Sequence, residues 1–209
     1  AFFLLRASTA APTPPFFYCL PRRSPHTLAR MKRRAFFLGL LAWCCMAGAG
    51  DVIGTTPPEW QVAPWINSEP LDLTALKGKV VLVRWWTAPD CRFCAATAPA
   101  LNEFHDRYRS KGLQVIGFYH HKAKSALDAN EVKNAANRFG FTFPVAIDPD
   151  WQTLKKWWLD SHNEGYTSIS VLLDRKGVIR HAHPGGQYVK GDAAYAALQA
   201  KIVELLAEK

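Results

Sequence analysis

Acidic residues are missing from positions 1–49, a stretch that carries seven Lys or Arg. From Gly50 onward 19 basic residues face 17 acidic ones, so the formal charge of +9 belongs to the N-terminal stretch. The body lacks the basic stripe that a nucleic-acid binder needs, and no nucleic-acid partner is expected. Cysteine is scarce. Of five, Cys19, Cys44 and Cys45 precede Gly50, and only Cys91 and Cys94 follow it. One pair excludes a disulfide-dense scaffold. Internal repeats are absent, and the apolar run Ala35–Ala47 falls short of the roughly 20 residues of a membrane span. A length of 209 residues with 49% hydrophobic composition fits one ordinary domain with a real core and some additional chain.

The additional chain has its own pattern. Met31-Lys32-Arg33-Arg34 precedes the apolar run, and Ala47-Gly48-Ala49 closes it. A positive start, an apolar middle and an A-x-A end predict a secretory signal over 31–49, cleaved after Ala49. The paired arginines also resemble a twin-arginine signal. Residues 1–30 are rich in Pro, Ser and Arg. They are read as a non-structural upstream segment, with an organelle transit peptide as the alternative. The expected location is the periplasm, with a membrane tether if the signal stays attached. The folded domain is expected over 50–209.

Within it, residues 51–76 predict an extended, proline-rich lead-in with a small hairpin. Lys79–Trp86 (KVVLVRWW) and Leu113–Tyr119 (LQVIGFY) are near-continuous apolar runs, as buried parallel strands require. Between them Cys91–Arg109 predicts a helix with Asp90 as N-cap and Leu101, Phe104 and Tyr108 on its core face. Helices are expected at Asp128–Phe139, Asp150–Leu159 and Asp192–Ala207, and a short strand at Phe143–Ile147. Ser168–Leu173 and Val178–His183 predict strands joined through Asp174-Arg175-Lys176-Gly177 in a hairpin. Strands alternating with helices predict an α/β domain, its mixed, mainly parallel sheet covered by helices on both faces. Loops following parallel strands gather at one sheet edge. That edge would bring together Cys91, Cys94, His120, His121 and the Thr167-Ser168 turn.

Two cysteines in WTAPDCRFC admit three readings. A disulfide between residues three apart restricts the unfolded chain little, so a structural staple gains little. A metal clip would need further ligands, and His120-His121 or His181 and His183 are the candidates; solvated positions are the simpler reading for both pairs. A redox dithiol fits the placement best. Cys91 at a helix N-terminus faces unpaired N–H groups and the positive end of the dipole, which favours its thiolate. Cys94, one turn on, is placed to resolve a mixed disulfide. Arg92 adds positive charge and Asp90 opposes it.

A Cys-x-x-Cys after the first strand of a βαβ pattern is itself a thioredoxin-like signal. Together with Trp86 before the motif, Pro99 five residues after Cys94, FPVAID at 143–148 and VLLDRKGVI at 171–179, it resembles the thioredoxin superfamily, in particular the exported TlpA/ResA-type redoxins. The resemblance covers about Pro58 to Lys209. It implies a thioredoxin-like three-layer sandwich and an exported thiol-disulfide oxidoreductase. Cys91 and Cys94 would be its catalytic pair, and Trp86, Pro89, Arg92, Phe93, Pro99, Thr167 and Ser168 would shape the site or hold substrate. It further implies protein thiols and disulfides as substrates, a membrane thiol donor as a partner, a monomer, and neither cofactor nor resident metal. The sequence departs from the family in three places. Ser168 stands where the family has a cis-proline, the loop before Cys91 is one residue longer, and Arg92-Phe93 replaces Gly-Pro between the cysteines.

Copper or zinc handling is the alternative function. A peroxiredoxin-type peroxidase is a further one, but the P-x-x-x-T-x-x-C pattern fails, because Ala88 and Arg84 occupy its threonine and proline positions. The paired tryptophans Trp85-Trp86 and Trp157-Trp158 read as packing rather than a substrate platform, with Trp86 alone near the site.

Overall fold

A computed structural model of the chain describes residues 52–162 and 165–208. The predicted upstream segment and signal lie outside the described residues. Among those described, no helix is long and apolar enough to cross a membrane.

The two apolar runs form the middle of the sheet. Strand β2 (Val80–Trp86) is buried at every position and β3 (Leu113–Tyr119) at nearly every one. They pair in parallel, Val80 opposite Leu113 and Trp86 opposite Tyr119. Strand β4 (Val145–Ile147) adds to β3 in parallel, β5 (Ser170–Leu173) pairs antiparallel with β2, and β6 (Ile179–His183) antiparallel with β5. The order is β1-β4-β3-β2-β5-β6, the mixed sheet that the pattern predicts.

Strand periodicity divides the core in two. Val80, Leu82 and Trp86 pack on one face with Cys94, Leu101 and Phe104 of helix α1 (Arg92–Tyr108) and with Leu198, Ile202 and Leu205 of helix α4 (Ala193–Ala207). Val81, Val83 and Trp85 pack on the other with Leu154, Trp157 and Trp158. Trp85 and Trp157 meet edge to face with centroids 5.6 Å apart, so these rings are core, as expected. Helix α2 (Ala129–Arg138) begins at Asp128, whose carboxylate accepts the Asn130 N–H. Asp192 caps α4 through the Tyr195 N–H. The β5–β6 turn is held by Asp174, which accepts the N–H groups of Lys176 and Val178.

Three expectations change. The lead-in forms no hairpin of its own. Its strand β1 (Trp65–Ile66) pairs with β4 and covers that sheet edge, which leaves less backbone open to another chain. The helix expected over Asp150–Leu159 is broken. Asp150 and Trp151 take φ of 52° and 61°, the one α-turn α3 (Gln152–Leu154) follows, and Lys155–Leu159 widens into a π turn. Buried Asp148 organises this break by accepting Trp85 Nε1–H and the N–H groups of Thr153 and Leu154. Finally, the residue that caps α1 is Cys91, not Asp90.

Candidate active site

That last change defines the site. Cys91 Sγ accepts the Cys94 N–H at 3.1 Å, so the sulfur takes the place that an Asp or Ser side chain fills at most helix starts. Cys91 and Cys94 are joined in a disulfide with Cα atoms 5.2 Å apart. The two sulfurs are unequal. Cys94 is 2% exposed and belongs to the core, whereas Cys91 is half-buried and lines a cleft of about 720 Å³. An incoming sulfur reaches Cys91 and not Cys94.

The cleft has two walls. One is the loop Ala88–Asp90 with Cys91 and Phe93; the other is Tyr166–Ser168 with Pro184–Gly186. The peptide Ala88–Pro89 is cis, and the Tyr119 hydroxyl donates to the Ala88 carbonyl at 3.4 Å. On the second wall Tyr166 lies close against Gly185, where a Cβ would stand 2.8 Å from the Tyr166 Cβ and Cγ. Only glycine lets these two segments close up, and its φ of 148° favours glycine as well. Phe93 and Tyr166 are 43% and 53% exposed, large apolar surfaces at the cleft mouth.

Ser168 sits directly over the disulfide. Its hydroxyl lies 3.5 Å from Cys94 Sγ and 4.0 Å from Cys91 Sγ. The Thr167–Ser168 peptide is not among the cis bonds. Thr167 is buried beside it, and Pro89 is exposed on the opposite wall. Arg92 is exposed and lays its guanidinium over the Phe93 ring at 5.0 Å. Trp86 does not line the cleft. It is buried beneath the site, edge to face with Tyr119, Phe139 and Phe141. Pro99 lies inside α1, exposed and away from the cleft.

His120 and His121 do not line the cleft. His121 has one ring nitrogen 3.1 Å from the Tyr119 hydroxyl and the other 2.7 Å from the Ser125 carbonyl. His120 is fully buried with its ring edge to face against Trp151, and burial pushes it down to about 3, so it is neutral. Among the described residues no group of three or more His, Cys, Asp or Glu is placed to hold a metal.

Four groups at the site escape the sequence reading. Tyr166, Gly185 and Lys122 line the cleft, and Arg84 lies fully buried behind it. For Arg84 the signal was present: one charge inside the apolar run VVLVRWW. The others come from loops that only the fold brings near the cysteines.

A Cys-x-x-Cys disulfide capping a helix after a central parallel strand of a mixed sheet marks the thioredoxin-like class of dithiol proteins. The chain belongs to the AhpC/TSA family, whose pattern matches residues 53–182. It is 33% identical over 151 residues to DipZ of Mycobacterium bovis, a match over 69% of this chain and 21% of DipZ. The chain thus corresponds to about a fifth of that relative. ResA of Bacillus thuringiensis subsp. konkukian, a thiol-disulfide oxidoreductase by name, is 31% identical over 139 residues, covering 65% of this chain and 71% of ResA. Among solved structures, a thiol-disulfide isomerase from Corynebacterium glutamicum superposes with a TM-score of 0.58 at 28% identity, over 73% of this chain and 97% of that one. The thioredoxin-like fold expected from the sequence is borne out.

Proposed function

We propose that this chain is an exported thiol-disulfide oxidoreductase that exchanges disulfides with partner proteins through Cys91 and Cys94. The observation that carries the reading is the inequality of the two sulfurs: one open to the cleft at a helix N-terminus, the other buried one turn behind it. In the reducing direction the Cys91 thiolate attacks one sulfur of a partner's disulfide. A Cys91–partner disulfide forms and the partner's other sulfur leaves as a thiolate. Cys94, losing its proton, then attacks Cys91 Sγ, restoring the Cys91–Cys94 bond and releasing the second partner thiol. Two electrons pass to the partner. The oxidising direction is the same sequence reversed. Ser168 and Thr167 hold the partner's chain against the sulfurs, Pro89 and Phe93 form the facing wall, and Arg92 backs it with its guanidinium over the Phe93 ring. Reducing equivalents would come from a membrane thiol donor, and the domain acts as a monomer.

The test is insulin-disulfide reduction by the domain from Gly50. Cys91→Ser should lose activity entirely, and Cys94→Ser should accumulate a Cys91-linked mixed disulfide. Activity that survives Cys91→Ser would sink the assignment. Export predicts that protein recovered from the periplasm of a bacterial host begins at Gly50; retention of residues 31–49 on soluble protein would contradict it.

A further inference from the structure

Arg84 sits in the middle of β2 with no exposed surface. A buried cation ordinarily requires a carboxylate, yet among the described residues none contacts this one. Its partners are neutral. Nη1 donates to Ser170 Oγ at 3.3 Å, Nη2 donates to the Gly186 carbonyl at 2.8 Å, the guanidinium lies over the Tyr188 ring at 5.4 Å, and Nε has no partner. Tyr188 holds its proton, because burial pushes it above its ordinary value. Burial pushes His183 below its ordinary value and His120 down to about 3, which favours their neutral forms. The remaining charges by the cysteines, Arg92, Asp90 and Lys122, are on exposed positions.

Arg84 lies on the dithiol's side of the sheet. Val80, Leu82 and Trp86, which share its side of β2, pack in the same core as Cys94. Ser170, its β5 neighbour, is two residues on from Ser168, which lies in the turn just before the strand. Ser170 touches the guanidinium and Ser168 touches both sulfurs. Ser170 and Ser168 thus stand between the cation and the sulfurs, in largely buried protein where salt screens little.

We infer that Arg84 is a positioning residue for the exchange reaction. It is the missing countercharge of the dithiol, favouring the thiolate at Cys91 and Cys94 and thereby the reduced over the disulfide form. A unit charge at about 10 Å and an effective dielectric near 20 changes a thiol's acid constant on the order of tenfold. A dithiol whose reduced form is stabilised is a better oxidant. This rests on the exchange reading, and it gives that reading a direction: electrons flow from partner thiols to this protein more readily than without Arg84.

The experiment compares the parent with Arg84→Gln and Arg84→Lys. Glutamine loses the charge but can still donate to the Gly186 carbonyl; lysine keeps the charge without the fork. Thiolate ultraviolet absorbance gives the thiol pKa in reduced protein, and glutathione buffers give the dithiol equilibrium. Arg84→Gln should raise the lower thiol pKa by about one unit and shift the equilibrium about tenfold toward disulfide. Arg84→Lys should stay within about threefold of the parent. A purely structural clamp would lower melting temperature without moving either quantity. A shift under about twofold in Arg84→Gln, or an equal shift in Arg84→Lys, overturns the inference. Should Arg84→Gln not fold, Arg84→Met is the second neutral variant. Absence of parent exchange with glutathione or insulin would instead refute the functional reading, while the absorbance titration still tests Arg84.

Discussion

Ser168→Ala removes one oxygen from the site and leaves its packing otherwise intact. In the disulfide form that oxygen contributes little, because a disulfide sulfur is a weak acceptor and the Ser168 hydroxyl stands 3.5 and 4.0 Å from the two sulfurs. Reduction changes the partner. A thiolate at either position becomes a charged acceptor, and a hydrogen bond to a charged group contributes about 1.5–3 kcal/mol. Ser168 is half-buried and sulfur is a diffuse acceptor, so the lower end applies. About 1.5 kcal/mol corresponds to roughly one pKa unit. For a two-electron couple it corresponds to about 30 mV. Ser168→Ala should therefore raise the lower thiol pKa by about one unit and make the dithiol midpoint about 30 mV more negative. Equilibration in glutathione buffers, followed by alkylation and mass measurement, reads the midpoint directly. A midpoint within about 5 mV of the parent, with an unchanged thiol pKa, would show that the hydroxyl does not donate to the thiolate.

Two further perturbations test the frame behind the site. Gly117 lies in β3 against Trp86, where an added Cβ would stand 2.9 Å from the indole nitrogen and 3.4 Å from Val145 Cγ2; Trp86 is hemmed in by Tyr119, Phe139 and Phe141 and has no room to yield. Gly117→Ala should cost about 1–3 kcal/mol and several degrees of melting temperature, and an equal or higher melting temperature would contradict that packing. Burial pushes the Asp174 carboxyl up, but the N–H groups of Val178 and Lys176 and the Arg180 guanidinium outweigh it and hold it below the usual aspartate value. Its contribution is therefore fully present above the unfolded value and is lost as pH falls through the folded one. Asp174→Asn should unfold more easily than the parent at neutral pH by about 1–2 kcal/mol, with the gap closing toward pH 3 in urea titrations; a gap independent of pH would refute it.

Where chemistry and periodicity agree, the sequence was enough. VVLV and LQVIGFY admit little but buried strands, and Asp128 and Asp192 mark helix starts that the structure keeps. Ser168 was singled out differently, through the family resemblance, as the position where the family has its cis-proline. The misreadings share a cause: a local rule met a stronger nonlocal partner. Asp90 has the better side chain for a cap, but Cys91 already points at the Cys94 N–H. The Asp150–Leu159 pattern is helical by composition, but the Asp148 carboxylate draws in Trp85, Thr153 and Leu154 and forces a tighter entry. Residues 65–66 carry little strand signal, and only the open edge of β4 gives them a partner.

The polar half of the site shows why chain order conceals such places. Arg84 and Ser170 are 86 residues apart, and Arg84 and Gly186 are 102 apart. No window along the sequence holds both ends. A periodicity argument assigns position 84 to the same buried face as Leu82 and Trp86, and it is right about the face. It then meets a residue that no apolar face should accept. Burying the charge is unfavourable unless something nearby becomes negative, and the described carboxylates stay away. The sulfurs of Cys91 and Cys94 are the groups on that face that gain negative charge when the protein turns over. An arginine that looks like an error in the folded, oxidised state acquires its partner in the reduced one.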